Sequence, residues 1–168
     1  MKYDELVEVW QRYLTEEGAY HRSVFDVIGV LVVAVKQKLQ MPDTGVLRLL
    51  PVTLSEPEQE RTYAPPTATT FDDDGTARFR FQIVVRGQGS WTQKLFFFFD
   101  FKLIKTNGVW NVTPFEKAKT HVLSAPPSHA ELESLCAEMF DAMTNDFVGT
   151  YEDRLGRSKR TLGFRIGD

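Results

Sequence analysis

A chain of 168 residues, 42% hydrophobic and 26% charged, has the size of one ordinary globular domain and a balance that excludes wholesale disorder or a membrane-filling composition. A formal net charge of -3 excludes a surface given over as a whole to nucleic acid. The single cysteine, Cys136, excludes an internal disulfide framework and a multi-cysteine metal knuckle, and it points to a reducing, cytoplasmic setting.

The start, MKYDELVEVW, carries acids where a secretory signal would carry a basic stretch and an apolar run. Over residues 3–16, Tyr3, Leu6, Val7, Trp10, Tyr13 and Leu14 recur at helical spacing, with Asp4, Glu5, Glu8, Gln11 and Arg12 on the other side. This predicts an amphipathic helix that Gly18 ends. A second helix is expected from Ser23, with Asp26 completing a short capping box, through VFDVIGVLVVAV to Lys36–Lys38. Its apolar run falls short of the roughly 20 residues that a bilayer span needs, so a buried core helix is the expectation.

GVLRLLPVTLSE, residues 45–56, reads as a strand that Pro51 confines to an edge or a bulge. Residues 56–70 form a polar, proline-bearing loop. After the turn signal Asp72-Asp73-Asp74-Gly75, Phe79, Phe81 and Ile83 alternate with Arg78, Arg80 and Gln82. Gly87-Gln88-Gly89 predicts a three-residue hairpin loop, and a long strand follows over 91–105. Asn107-Gly108, a strong hairpin dipeptide, returns the chain as VWNVTPF. Pro126-Pro127 breaks the sheet, and Ser128-x-x-Glu131 is a capping box. Leu132, Leu135, Cys136, Met139, Phe140, Met143 and Phe147 then mark one helix face ending near Gly149. The expected fold class is α+β: two N-terminal helices, a four- or five-stranded antiparallel sheet of hairpins, and a C-terminal amphipathic helix packed on the sheet. Residues 1–150 form the single domain, and residues 151–168 a basic tail.

KLFFFFDFKLIK, residues 94–105, is the conspicuous stretch, because a strand with one wet face should alternate. The two turns pair Phe81 with Leu95, Phe79 with Phe97, Arg80 with Phe96, Arg78 with Phe98 and Leu103 with Val112. Phe97 and Phe99 then fall on the core face. Phe96 and Phe98 fall on the outer face with Arg78, Arg80 and Lys102, and Phe115 lies at its edge. Arginine can shield aromatic rings by stacking on them, yet Arg with Phe is also the composition of an interface. These six residues are the candidate partner-binding site, for a protein partner or a second copy of the chain.

Catalytic and metal-binding constellations are not evident. His21, His121 and His129 are dispersed, and with one cysteine they make a poor zinc set. Cys136 sits on an apolar helix face without a neighbouring base. Asp72–Gly75 lacks the spaced acids of a calcium loop, and Gly87-Gln88-Gly89 does not open a helix as a phosphate loop would. No cofactor and no metal is therefore expected. Arg154, Arg157, Lys159 and Arg160, followed by Arg165, form a basic run that could serve as a partner or nucleic-acid arm, although Glu152, Asp153 and the acidic first helix dilute its field.

Helices followed by long antiparallel strands that end in an Asn107-Gly108-Val109-Trp110 hairpin are similar to the nuclear transport factor 2-like cone fold. That resemblance implies a sheet curled around an N-terminal helix and an aromatic pocket that binds or transforms a small molecule, with groups such as Asp100 or His121 entering it. It carries over no catalytic residue, and the C-terminal helix departs from the pattern. The primary expectation is a non-enzymatic binding protein, such as an adaptor, inhibitor, chaperone-like or assembly component, acting through the Arg/Phe face.

Overall fold

The structure, a computed structural model, describes residues 2–41, 46–54, 61–86, 94–154 and 163–167, with side chains described as far as Asp146. Its first element corrects the expectation of two N-terminal helices. One helix, α1, runs unbroken from Tyr3 to Lys38. Glycine inside a helix costs only about 1 kcal/mol and stops it only where the chain turns left-handed, and nothing after Gly18 enforces that. Ser23 does not cap a new helix. Its hydroxyl donates back to the Tyr20 carbonyl at 2.7 Å, a bond made within a continuing helix. The true end comes where Gln40 adopts φ 47° and the Met41 N–H reaches the Lys36 carbonyl at 3.0 Å.

The sheet is antiparallel, with β1 (Leu47–Leu50), β3 (Ala77–Arg86), β4 (Lys94–Thr106), β5 (Val109–Thr113) and β6 (His121–Leu123) in the order β1-β3-β4-β5-β6. The short β2 (Thr70–Phe71) pairs with β3, and β7 (Gly163–Gly167) pairs with β4. β1 is an edge strand and stops before Pro51, which has no N–H to give a ladder. The expected polar loop is not all loop: Pro65–Ala68 form a one-turn helix, α2, which buries Ala68, and the Tyr63 N–H bonds the Leu49 carbonyl at 2.9 Å.

α3 spans His129–Arg154, so it passes both Gly149 and the expected domain boundary at 150. Its start is fixed by the predicted capping box: Ser128 N–H donates to Glu131 Oε2 at 2.8 Å, and Glu131 N–H to Ser128 Oγ at 3.3 Å. The Ser128 and Ser124 N–H groups, with the Ser124 hydroxyl, hold the Glu131 carboxyl below the usual carboxylate range. Part of the segment expected as a basic tail is β7, whose backbone pairs Phe96 with Arg165 and Phe98 with Gly163.

The β3–β4 register differs from the three-residue-loop expectation by four residues: Phe81 faces Phe99, and Phe79 faces Phe101. The ladder closes at Arg86 and Lys94, and the intervening residues lie outside the described set. Because side chains alternate with period two, an even offset leaves every residue on its expected face. Phe79, Phe81, Phe99 and Phe101 are completely buried or nearly so, with Phe81 and Phe101 ring centroids 4.7 Å apart. They share one core with Val24, Ile28, Leu31 and Val35 of α1 and with Leu135, Met139 and Met143 of α3. α1 is also long and apolar enough, by length and composition, to cross a membrane.

Candidate functional site

The outer face of β3 and β4 is built as an alternation of arginine and phenylalanine, but it is not an open aromatic patch. Arg80 faces Asp100 across the ladder and grips it bidentately, donating from Nε to Oδ1 at 2.5 Å and from Nη2 to Oδ2 at 2.8 Å. That hydrogen bonding keeps the Arg80 guanidinium protonated beyond its ordinary range. The same guanidinium lies 5.6 Å from the Phe98 ring centroid, and the Phe98 ring runs nearly parallel to that of Phe96. Phe98 is half-buried and Phe96 is only 4% exposed.

Next to them Arg48 and Gln82 are buried on the same face, with Arg48 donating to Gln82 Oε1 at 3.2 Å. At the other end of the face Arg78 is held by Asp72 at 2.7 Å. A groove of about 290 Å³ opens there between Arg78, Asp100, Lys102 and Glu116. Phe115 belongs elsewhere: the chain leaves the ladder after Thr113, and the ring turns into the core against Phe99.

Of the six expected site residues, therefore, Arg78, Arg80, Phe98 and Lys102 retain some exposure. Phe96 and Phe115 are buried in this chain. Arg154 ends α3 with its side chain outside the described set, and Arg157, Lys159 and Arg160 lie outside it altogether.

Asp100 and His121, the titratable groups named for a cone-type pocket, do not converge. His121, on the core side of β6, is buried and bonds the carboxylate of Glu138, which also accepts the Lys119 N–H at 3.2 Å. Asp100 points out from the opposite face of the sheet, so the two groups named for a cone-type pocket do not meet. His21 stacks on Phe71 at 3.9 Å. His129 borders a groove of about 330 Å³ between the end of α1 and the start of α3, with Lys38, Glu133 and Cys136. Burial pushes the Cys136 thiol up to about 11, which keeps it protonated and a poor nucleophile near neutral pH. Among the described residues, no three His, Cys, Asp or Glu side chains gather as a metal set.

The surface that the sequence reading did not single out is the first half of α1. At 1.5 Å per residue this helix is roughly 54 Å long, well beyond the ~30 Å diameter of a small domain. It must overhang. Only its second half, Val24 to Val35, enters the core. In the first half Tyr3 (78% exposed), Leu6, Val9, Trp10 (57% exposed), Tyr13 and Leu14 all face solvent. Trp10 and Tyr13 stack on each other at 5.5 Å. The expectation of an amphipathic face over 3–16 stands, and among the described residues nothing covers that face.

Compared with protein-family models, with curated proteins and with solved structures, the chain matches none. Neither the cone-fold resemblance nor any named activity gains support from that side. The overhanging stripe of α1 remains the feature with the clearest functional meaning.

Proposed function

We propose that this protein is a non-enzymatic binding or assembly component, of the adaptor, inhibitor or chaperone-like kind, that docks through the first half of α1. In this reading α3 covers the sheet's core face, and the α1 overhang is the free surface. The observation that carries it is the contiguous exposure of Tyr3, Leu6, Val9, Trp10, Tyr13 and Leu14. Scattered apolar residues on a surface are ordinary, whereas a row of them, rich in Trp and Tyr, marks a contact site.

The chemistry of the occupant follows from the charges. Asp4, Glu5, Glu8, Glu16 and Glu17 outnumber Lys2 and Arg12 along the overhang. A helix lying on a membrane surface carries Lys and Arg on its polar side to meet anionic lipid, so an acidic helix fits a protein groove better. The groove between Arg78 and Lys102 on the sheet is polar, and it supplies a rim rather than an anchor.

The test is a variant with Leu6→Asp and Trp10→Asp together. Both positions are exposed, so circular dichroism and the unfolding midpoint of the dilute protein should stay unchanged while association, with itself or with another protein, is lost. Association that survives both changes refutes the reading.

A further inference from the structure

Resting on that reading, we infer that the occupant of the α1 overhang is a second copy of the same overhang, the two helices lying antiparallel about a two-fold axis. The stripe follows a seven-residue repeat. Tyr3, Trp10 and Glu17 occupy one seam position, and Leu6, Tyr13 and Tyr20 occupy the other. The charged residues Asp4, Glu5, Glu8 and Arg12 lie on the far side, so none of them enters a seam between two copies.

The register is limited by what is exposed. Antiparallel pairing that uses residues 3–13 layers Tyr3 on Tyr13 of the second copy and Leu6 on its Trp10, then repeats both layers by symmetry. Along one flank this places Lys2 opposite Glu16 of the second copy at each end, with Val9 opposite Val9 between them. Val7 meets Val7 on the other flank. Both ion pairs are attractive, and no like charges face each other.

A parallel pair would instead bring Glu17 against Glu17 in the seam, where a desolvated pair of carboxylates is strongly unfavourable. In the antiparallel register Glu17 falls outside the overlap. The overlap also ends before Tyr20, where α1 begins to pack against its own domain, so the two domains sit at opposite ends of the paired helices.

Size supports a dimer of modest affinity. A buried aromatic covers roughly 150–250 Å². At their present exposures Tyr3, Trp10 and Tyr13 offer on the order of 400 Å² per copy. With Leu6, Val9 and Leu14 added, two copies reach about the 1,000 Å² at which specific interfaces begin. The overhang also has a reason to be covered: a lone helix of 12–15 residues is only marginally stable in water.

Sedimentation equilibrium of the full chain tests this directly. The wild type should be a concentration-dependent dimer, and Trp10→Asp should weaken it by at least about 30-fold, the effect of losing a central anchor. Lys2→Glu alone, or Glu16→Lys alone, should weaken it several-fold, since two symmetric rim pairs turn repulsive, and the double swap should restore it. Direction is read by cysteine cross-linking: Val9→Cys should join to itself under mild oxidation, and Glu17→Cys should not. A monomeric wild type at 100 µM-order concentrations, a charge swap that does not rescue, or cross-linking through Glu17→Cys instead of Val9→Cys would overturn the pairing. If the wild type is monomeric but Leu6→Asp/Trp10→Asp abolishes its binding to another protein, the docking function stands and only the second copy is refuted. If that variant changes nothing, both fall.

Discussion

The two halves of α1 share one spacing of apolar residues and meet opposite fates. Val24, Ile28, Leu31 and Val35 are buried against the sheet, while Tyr3, Leu6, Trp10 and Tyr13 stand in solvent on the same helix. Periodicity specifies which side of a helix seeks cover, and it is silent on whether the cover belongs to the same chain. Residue type does carry a hint. The covered half is Val, Ile and Leu, the usual filling of a core. The uncovered half is Tyr and Trp with Leu, aromatics that present an apolar body with a polar tip and suit an interface that forms after folding.

The sharpest way to break the comparison is to truncate one residue in each half. Leu31→Ala empties a fully buried site and should cost about 3 kcal/mol, within the 2–5 kcal/mol range of such truncations. Trp10→Ala, although it removes more atoms, should change the stability of the dilute protein by no more than about 0.5 kcal/mol. Urea denaturation at low protein concentration measures both. Losses of similar size would mean that the overhang packs on its own domain, and the functional reading would lose its surface.

The outer face of the sheet offers a second contrast between neighbours. Phe96→Ala should cost about 3 kcal/mol, as expected for a buried phenylalanine, and Phe98→Ala roughly half of that, because one side of its ring is met by Arg80 and solvent. Equal, small losses for both would reinstate an open aromatic pair and with it the Arg/Phe interface. The contrast also shows where sequence reading runs out. Alternation along β3 and β4, with the Asn107-Gly108 turn, sufficed to sort Phe97 and Phe99 from Phe96 and Phe98, and an even slip in register did no harm.

Burial of the outer face was not legible, because it depends on neighbours distant in sequence: Arg48 and Gln82 beside Phe98, Val84 opposite Phe96, and β7 beside β4. Phe115 escapes the alternation for a related reason: it lies two residues past Thr113, where the chain leaves the ladder. β6 has three residues, too short to leave an alternation in the sequence. The docking stripe was half legible. Its residues read as one helix face, but Gly18 reads as a helix end, and the length that forces an overhang shows only in the unbroken helix.

Gly18 therefore tests the smallest and most local part of the comparison, the joint between the covered and uncovered halves. A Cβ built at this position meets nothing within 4 Å, and α1 passes through it as regular helix. Gly18→Ala should then stabilise the protein by about 0.5–1 kcal/mol, the difference in helix propensity, since the added methyl has room and the unfolded chain loses freedom. Helical signal in circular dichroism should hold or rise slightly. A glycine that ended one helix in a left-handed turn would give the opposite result, because alanine is strained there by more than it gains. Loss of stability at Gly18→Ala would thus separate the two halves into two helices. It would also remove the rigid lever on which the exposed stripe is carried clear of the domain.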